Sequence, residues 1–161
     1  MKNKTIYIAA AVCLAAVIGM VLALLFTGGR RQTAEFTPPS FDAAAQAGTP
    51  AAPDESWTQV YREGMDFSAH ICGKPVFSGS TARLDFTNDA GNNVWLKLRI
   101  LDEKGNILAE SGLIKPGEYL ASFPFSAPVP AGTSITMKIM AYEPNTYCSA
   151  GAVTLHTTAG G

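Results

Sequence analysis

The sequence predicts an all-β protein, an antiparallel immunoglobulin-like sandwich of about seven strands behind a single N-terminal transmembrane helix and a disordered linker. Three observations carry this. Seven runs after residue 65 alternate apolar and polar residues with a period of two, Gly/Pro/Asn/Asp clusters separate them, and one uninterrupted apolar block stands near the start. The domains expected are an anchor over residues 1–26, a Pro/Ala-rich linker over 27–56 and the β-sandwich over 57–161.

The block Thr5–Phe26, "TIYIAAAVCLAAVIGMVLALLF", contains no charge, Asn, Gln or Pro. As a helix, 22 residues reach roughly 33 Å, enough for the hydrocarbon core of a bilayer. A cleaved signal peptide is the competing reading. Its apolar region is usually shorter, and "LLFTGGRRQ" offers no small-x-small cleavage pattern. Cys13 lacks the small residue that lipid attachment needs directly before the cysteine, and reads as an apolar packing residue. Lys2 and Lys4 flank one end of the block and Arg30 and Arg31 the other, so charge barely sets the orientation. The β-rich remainder suits a domain outside the cytoplasm, and the expected location is the cell membrane, single-pass, with that domain extracytoplasmic.

The linker "TGGRRQTAEFTPPSFDAAAQAGTPAAPDES" has four prolines and few branched apolar residues, too few to order it by burial. "TPPSF" lacks the P-x-x-P spacing of a docking motif, so the stretch reads as a tether, with Phe36 and Phe41 its only aromatic residues.

"SWTQVYREG" follows. Ser56 and Gln59 have the spacing of a helix capping box, and Gly64 could end a short helical turn. Then the period becomes two. The strand runs are "DFSAHIC", "TARLDFTN", "NVWLKLRILD", "NILAES", "EYLASFPFS", "SITMKIMAYE" and "AGAVTLHTT". In the third, Val94, Leu96, Leu98 and Ile100 face one way and Trp95, Lys97 and Arg99 the other, which gives one buried and one wet face. "DEKGN" predicts a hairpin with Gly105 at positive φ, and "KPGE" a type II turn with Pro116 and Gly117 at its centre.

The charge pattern excludes some function classes. Lys and Arg number 12 against 13 Asp and Glu, so no basic excess points to nucleic acid. Two Cys and two His beyond the anchor lack C-x-x-C or H-x-x-x-H spacing, so no metal site or cofactor is expected. "SGSTA" is a turn rather than a phosphate loop, because no Lys-Ser/Thr pair or helix follows. Asp66, Asp85, Asp89, Asp102 and Glu103 are spread over strands and turns, more like solvated surface than an acid/base pair.

Cys72 and Cys148 leave two readings open. If the first strand runs beside the last, a disulfide between them is expected in an oxidising compartment, worth about 4 kcal/mol on the chain-entropy model. The alternative is two separate thiols. A nucleophilic role for Cys148 would need a positioned base, and His70 and His156 both fall on outward strand faces. No catalytic residue is therefore assigned. Tyr142, Asn145 and Tyr147 flank or occupy the loop "EPNTYCSAG", the kind of end loop with which a sandwich contacts a partner. Tyrosines packed over the core end are the alternative.

The text "WLKLRILDEKGNILAESGLIKPGEYL" and "AGTSITMKIMAYEPNTYCSAGAVTL" carries a resemblance. Its pattern is a hairpin strand, then Ser111 to Gly117 matching S/T-G-L-I-x-P-G, then Ala131 to Thr133 before the penultimate strand. In this it resembles a group of small, membrane-anchored, immunoglobulin-like proteins of uncharacterised activity from Gram-positive anaerobes, sometimes encoded among genes of conjugative elements. The resemblance covers about two-thirds of the chain and implies a fold and no catalytic residue.

The function expected is a membrane-tethered extracytoplasmic interaction module without catalytic activity, with a protein partner in the cell envelope, as an accessory of an envelope or conjugative-element assembly. Two alternatives stand beside it. A pilin-like structural subunit also begins with an apolar helix, but Thr5 to Ala9 lacks the acid of the prepilin pattern and the prolines break the helix. A small hydrolase would need His70 or His156 clustered with Cys148 or an acid in a pocket.

Overall fold

The computed structural model describes residues 14, 16–20, 22, 36–53, 55–60 and 64–160. The chain divides into two units, Met1–Thr37 and Pro38–Gly161. In the first unit, residues 14, 16–20 and 22 are helical. The rest of the expected anchor lies outside the described residues. Among those described, no helix is long and apolar enough to cross a membrane.

The second unit consists of antiparallel β-sheets. Its strands are β1 (Gln46–Ala47), β2 (Trp57–Val60), β3 (Ala69–Cys72), β4 (Val76–Ser78), β5 (Thr81–Asn88), β6 (Trp95–Leu101), β7 (Ile107–Glu110), β8 (Glu118–Pro124), β9 (Ser134–Tyr142) and β10 (Ser149–Thr158). One sheet has the order β1-β8-β5-β3-β2, with β4 paired to β5, and the other has the order β10-β9-β6-β7. All seven runs of period two form strands.

The two sheets share one core. Leu96, Leu98 and Ile100 of β6 and Met137 and Ile139 of β9 are fully buried, as are Leu84 and Phe86 of β5 and Ile71 of β3. Burying side chains of this size contributes roughly 1.5–3 kcal/mol each. Four polar residues, Asp85, Thr87, Asn88 and Ser111, are buried as well. Asn88 donates from Nδ2 to the carbonyls of Val94 (2.9 Å) and Ile114 (3.0 Å), and Ser111 Oγ accepts from the Leu98 N–H at 2.8 Å. These bonds tie the chain to its own crossovers. Among the described residues, no buried side-chain polar atom lacks a partner.

The predicted turns form. Gly105 has φ 82°, and Asp102 N–H donates to the Asn106 carbonyl at 3.0 Å. Gly117 has φ 76°, and Glu118 N–H donates to the Lys115 carbonyl at 3.1 Å.

The stretch after Ser56 corrects the expected helical turn. Trp57–Val60 is a strand, with Trp57 opposite Cys72 and Gln59 opposite His70. The Ser56/Gln59 spacing mimics a capping box, but four residues alongside β3 gain backbone partners that an isolated turn could not supply.

The expected linker boundary moves as well. From Pro38 the chain belongs to the compact unit. Asp42 N–H donates to the Leu113 carbonyl and Leu113 N–H to that of Ser40, both at 2.9 Å. Asp42 Oδ2 accepts from Gly112 N–H at 2.8 Å, and β1 pairs with β8. Backbone bonds to a strand edge, rather than apolar periodicity, order this segment.

β5 carries an irregularity. Its register with β8 shifts between Arg83 and Phe86, and Asp85 has φ 47°. The extra residue turns the Asp85 side chain toward Arg83 and Cys72, and the carboxylate is buried rather than wet. Arg83 Nε donates to it at 2.9 Å, which offsets the cost of burying the charge.

Candidate functional site

The outer face of the four-stranded sheet is built rung by rung from cross-strand pairs. Trp95 of β6 stands opposite Tyr142 of β9, Lys97 opposite Met140, Arg99 opposite Lys138, and Leu101 opposite Thr136. β10 extends the rungs, with Ala152 opposite Met140, Thr154 opposite Lys138 and His156 opposite Thr136. β7 contributes Glu110 opposite Arg99. The alternation of β6 and β9 sends Leu96, Leu98, Ile100, Met137 and Ile139 inward and leaves Trp95, Lys97, Arg99, Lys138 and Tyr142 outside.

At one end the face becomes an aromatic cluster. The Trp95 ring meets Phe41 edge-on at 4.8 Å between centroids and Tyr147 at 5.2 Å. Lys115 Nζ lies 4.8 Å from the centre of the Phe41 ring, a cation–π distance. All three rings keep part of their surface open to solvent. The loop between β9 and β10 holds Tyr147 there. Glu143 N–H donates to the Cys148 carbonyl (2.9 Å) and Tyr147 N–H to the Glu143 carbonyl (3.0 Å). Asn145 (φ 68°) and Tyr147 (φ 57°) both occupy the left-handed region, which favours glycine.

Of the residues expected in a contact loop, the structure brings Tyr142 and Tyr147 to the same end of this face. Asn145 sits exposed at the loop tip. Phe41 and Trp95 complete the cluster, and sequence reading missed it. Phe41 belongs to a proline-rich stretch that reads as a tether, and Trp95 reads as the outward residue of a strand.

The charge on the face is unbalanced. Lys97 Nζ lies 2.5 Å from Glu110 Oε1, and Arg99 Nε bonds the other oxygen of the same carboxylate. Lys138 forms no ion pair among the described residues. Burial alone would raise the Glu110 pKa. The hydrogen bonds and charges of Lys97 and Arg99 outweigh it and hold the carboxyl below its ordinary value of 4.5.

A second polar cluster lies on the six-stranded sheet. His70 Nδ1 is 2.7 Å from Asp89 Oδ1, and Ser68 Oγ donates to Asp89 Oδ2 at 2.5 Å. Asn92 Nδ2 donates to the Ser68 carbonyl (2.6 Å) and to Asn88 Oδ1 (2.6 Å). Trp57 stacks on His70 with centroids 4.4 Å apart and donates from Nε1 to the Asp85 carbonyl at 2.7 Å. Serine and histidine share the carboxylate, and Ser68 does not bond the imidazole. A nucleophile–base pair requires the opposite connection.

Of the two readings open for the cysteines, the structure has the one that keeps them apart. No disulfide joins Cys72 to Cys148. Cys72 is buried on β3, with its thiol 3.8 Å from Asp85 Oδ2, and Cys148 is exposed in the loop before β10. Phe67, just before β3, lies beside Gly151 near the start of β10, whereas Thr157 near the end of β10 bonds the Gly73 carbonyl at 2.6 Å. The two segments therefore run parallel, as expected. That same parallel course puts Cys72 beside the far end of β10, roughly 30 Å from Cys148 at about 3.3 Å per residue, and a disulfide needs Cα atoms within about 7 Å.

His156 is exposed on β10, eight positions beyond Cys148, and its Nδ1 lies 3.1 Å from Thr136 Oγ1. Among the described residues, the Cys148 thiol bonds neither histidine, and no group of three or more His, Cys, Asp and Glu could hold a metal ion.

No family model matches the chain, and no curated protein matches it. Among solved structures it is similar to CopC from Methylosinus trichosporium OB3b, at 16% identity over 54% of this chain and 83% of that chain, with a TM-score of 0.33. No residue role passes from CopC to this chain.

Proposed function

We propose that this chain is a membrane-tethered, extracytoplasmic binding module that performs no chemistry of its own. Its partner is a protein of the cell envelope that presents an acidic surface. The observation that carries this reading is the outer face of the four-stranded sheet. Lys97, Arg99 and Lys138 outnumber the acids beside them, Glu110 and, at the end near Thr136 and His156, Glu103, and a partly exposed cluster of Phe41, Trp95 and Tyr147 closes the other end. Partly exposed tryptophan and tyrosine with an arginine on the same face are the side-chain types enriched where proteins bind one another. The head is taken to be of immunoglobulin type. Neighbours β3–β5–β8 in one sheet and β6–β9–β10 in the other correspond to the A-B-E and C-F-G arrangement, with β7 added beside β6.

The test places a photocrosslinking residue at Lys138 and, as a control on the other sheet, at Ser122, in cells carrying the full chain. A neighbour captured only from position 138, and lost in 0.5 M salt as an ionic contact should be (Debye length about 4 Å), is the expected result. Equal capture from both positions, or none from 138, overturns the proposal. Protease added to intact cells tests the placement: the head is expected to be digested without lysis.

A further inference from the structure

We infer that β10 is a pairing edge for a second copy of this chain, joined antiparallel about a two-fold axis through Thr154. Strand edges present unpaired backbone N–H and C=O groups, and folded proteins blunt them with shortness, charge or proline. The other edges here follow that rule. β1 has two residues, β2 has four, and β7 has four and ends at the ion-paired Glu110. β10 does not follow it. It runs ten residues, "SAGAVTLHTT", without a charge or a proline, at the border of the four-stranded sheet.

The hydrogen-bond phase of β10 identifies the groups on offer. Gly132 N–H donates to the Ala159 carbonyl (2.8 Å) and Ala159 N–H to that of Thr133 (2.9 Å), so Ala159 is turned toward β9. Alternation back along the strand turns Thr157, Leu155 and Val153 the same way. Ala152, Thr154, His156 and Thr158 then direct their backbone groups outward. Gly160 shares that phase, and its N–H donates to the Pro75 carbonyl at 2.8 Å, where the chain covers its own edge. Among the described residues, no backbone hydrogen bond or bridge reaches the outward groups from Ala152 to Thr158, and the contact made there is the side-chain bond from Thr157 Oγ1 to the Gly73 carbonyl.

A second β10 fits this edge. With Thr154 opposite its own copy, Ala152 meets His156 of the other chain and Val153 meets Leu155. Each outward residue both donates and accepts, Thr154 meets its own copy, Gly151 and Ala150 meet Thr157 and Thr158, and no like charges oppose. The two-fold axis stands perpendicular to the sheet, so both aromatic and cationic faces lie on the same side of one continuous sheet. A strand from an unrelated protein would have no such symmetry to satisfy.

Light scattering on the full-length chain in mild detergent reads the outcome. The natural sequence is expected at twice the monomer mass. Thr154→Lys and Thr154→Glu, each placing like charges face to face, are expected at the monomer mass with an unchanged β-sheet circular-dichroism spectrum. Their equimolar mixture is expected to return to twice that mass. Amide exchange on the natural sequence gives a reading that no substitution can confound: protection at Ala152, Thr154 and His156 should rise with protein concentration. A monomeric natural sequence, a Thr154→Lys chain that still pairs, or exchange at these amides independent of concentration overturns the inference.

Discussion

Lys138 stands directly across the β6–β9 ladder from Arg99, cation opposite cation, and only Arg99 reaches a carboxylate. Like charges at this spacing oppose the fold by a few tenths of a kcal/mol up to about 1. Lys138→Glu is therefore expected to stabilise the domain by about 0.5 kcal/mol in urea denaturation. The same change should weaken capture of an acidic partner. A variant that is less stable than the natural sequence would show that the pair is not repulsive.

Glu110 links this face to pH. Its folded pKa lies below 4.5, so the stability it contributes is complete above that value and is lost as pH falls through the lower folded value. Glu110→Gln is expected to flatten the fall in stability below about pH 5. At neutral pH it should cost about 1 kcal/mol, because Lys97 and Arg99 lose a shared partner. Thermal melts of both proteins across that range check the sign.

The cysteines should react at different rates. Alkylation of the native chain followed by peptide mass spectrometry is expected to label Cys148 quickly and Cys72 only after denaturation, since one is exposed and the other buried. Reductant should change neither result. Recovery of a crosslinked Cys72–Cys148 peptide would contradict the placement of the two residues at opposite ends of β10.

Gly112 holds the segment that begins at Pro38. A methyl group built there would lie 2.5 Å from the Asp42 backbone nitrogen and 2.7 Å from its Cα. Backbone cannot yield as a side-chain tip can, so Gly112→Ala is expected to cost about 1–3 kcal/mol. Residues 38–53 should become sensitive to limited proteolysis, and Trp95 fluorescence should shift as Phe41 leaves its edge. Unchanged proteolysis would mean that the segment is held elsewhere.

The strands that were legible share one property. Each of the seven runs alternates apolar and polar residues in the sequence, and along β6 and β9 this becomes alternating burial over the whole strand, so packing writes its period into the chain. β1 and β4 span two and three residues, too few to establish a period, and β2 sits in a stretch whose Ser56/Gln59 spacing mimics a helix start. The β5 irregularity shifted Asp85 from the wet side into burial, and no local signal announces an inserted residue of that kind. Tyr142 and Tyr147 could be picked from their loop position. Phe41 and Trp95 could not, because what matters about them is their proximity, and residues 41, 95 and 147 are far apart in the chain.

Local chemistry therefore sufficed to mark where this chain extends, where it reverses and which side of each extended run is greasy, because those preferences act over a few neighbouring residues. Only the assembled sheets decided which strand borders which, that two cysteines end up far apart, that a proline-rich stretch is stitched to a strand edge, and that a long uncharged border is left open. These outcomes depend on contacts between segments remote in sequence, and such contacts leave no periodic trace in either segment alone.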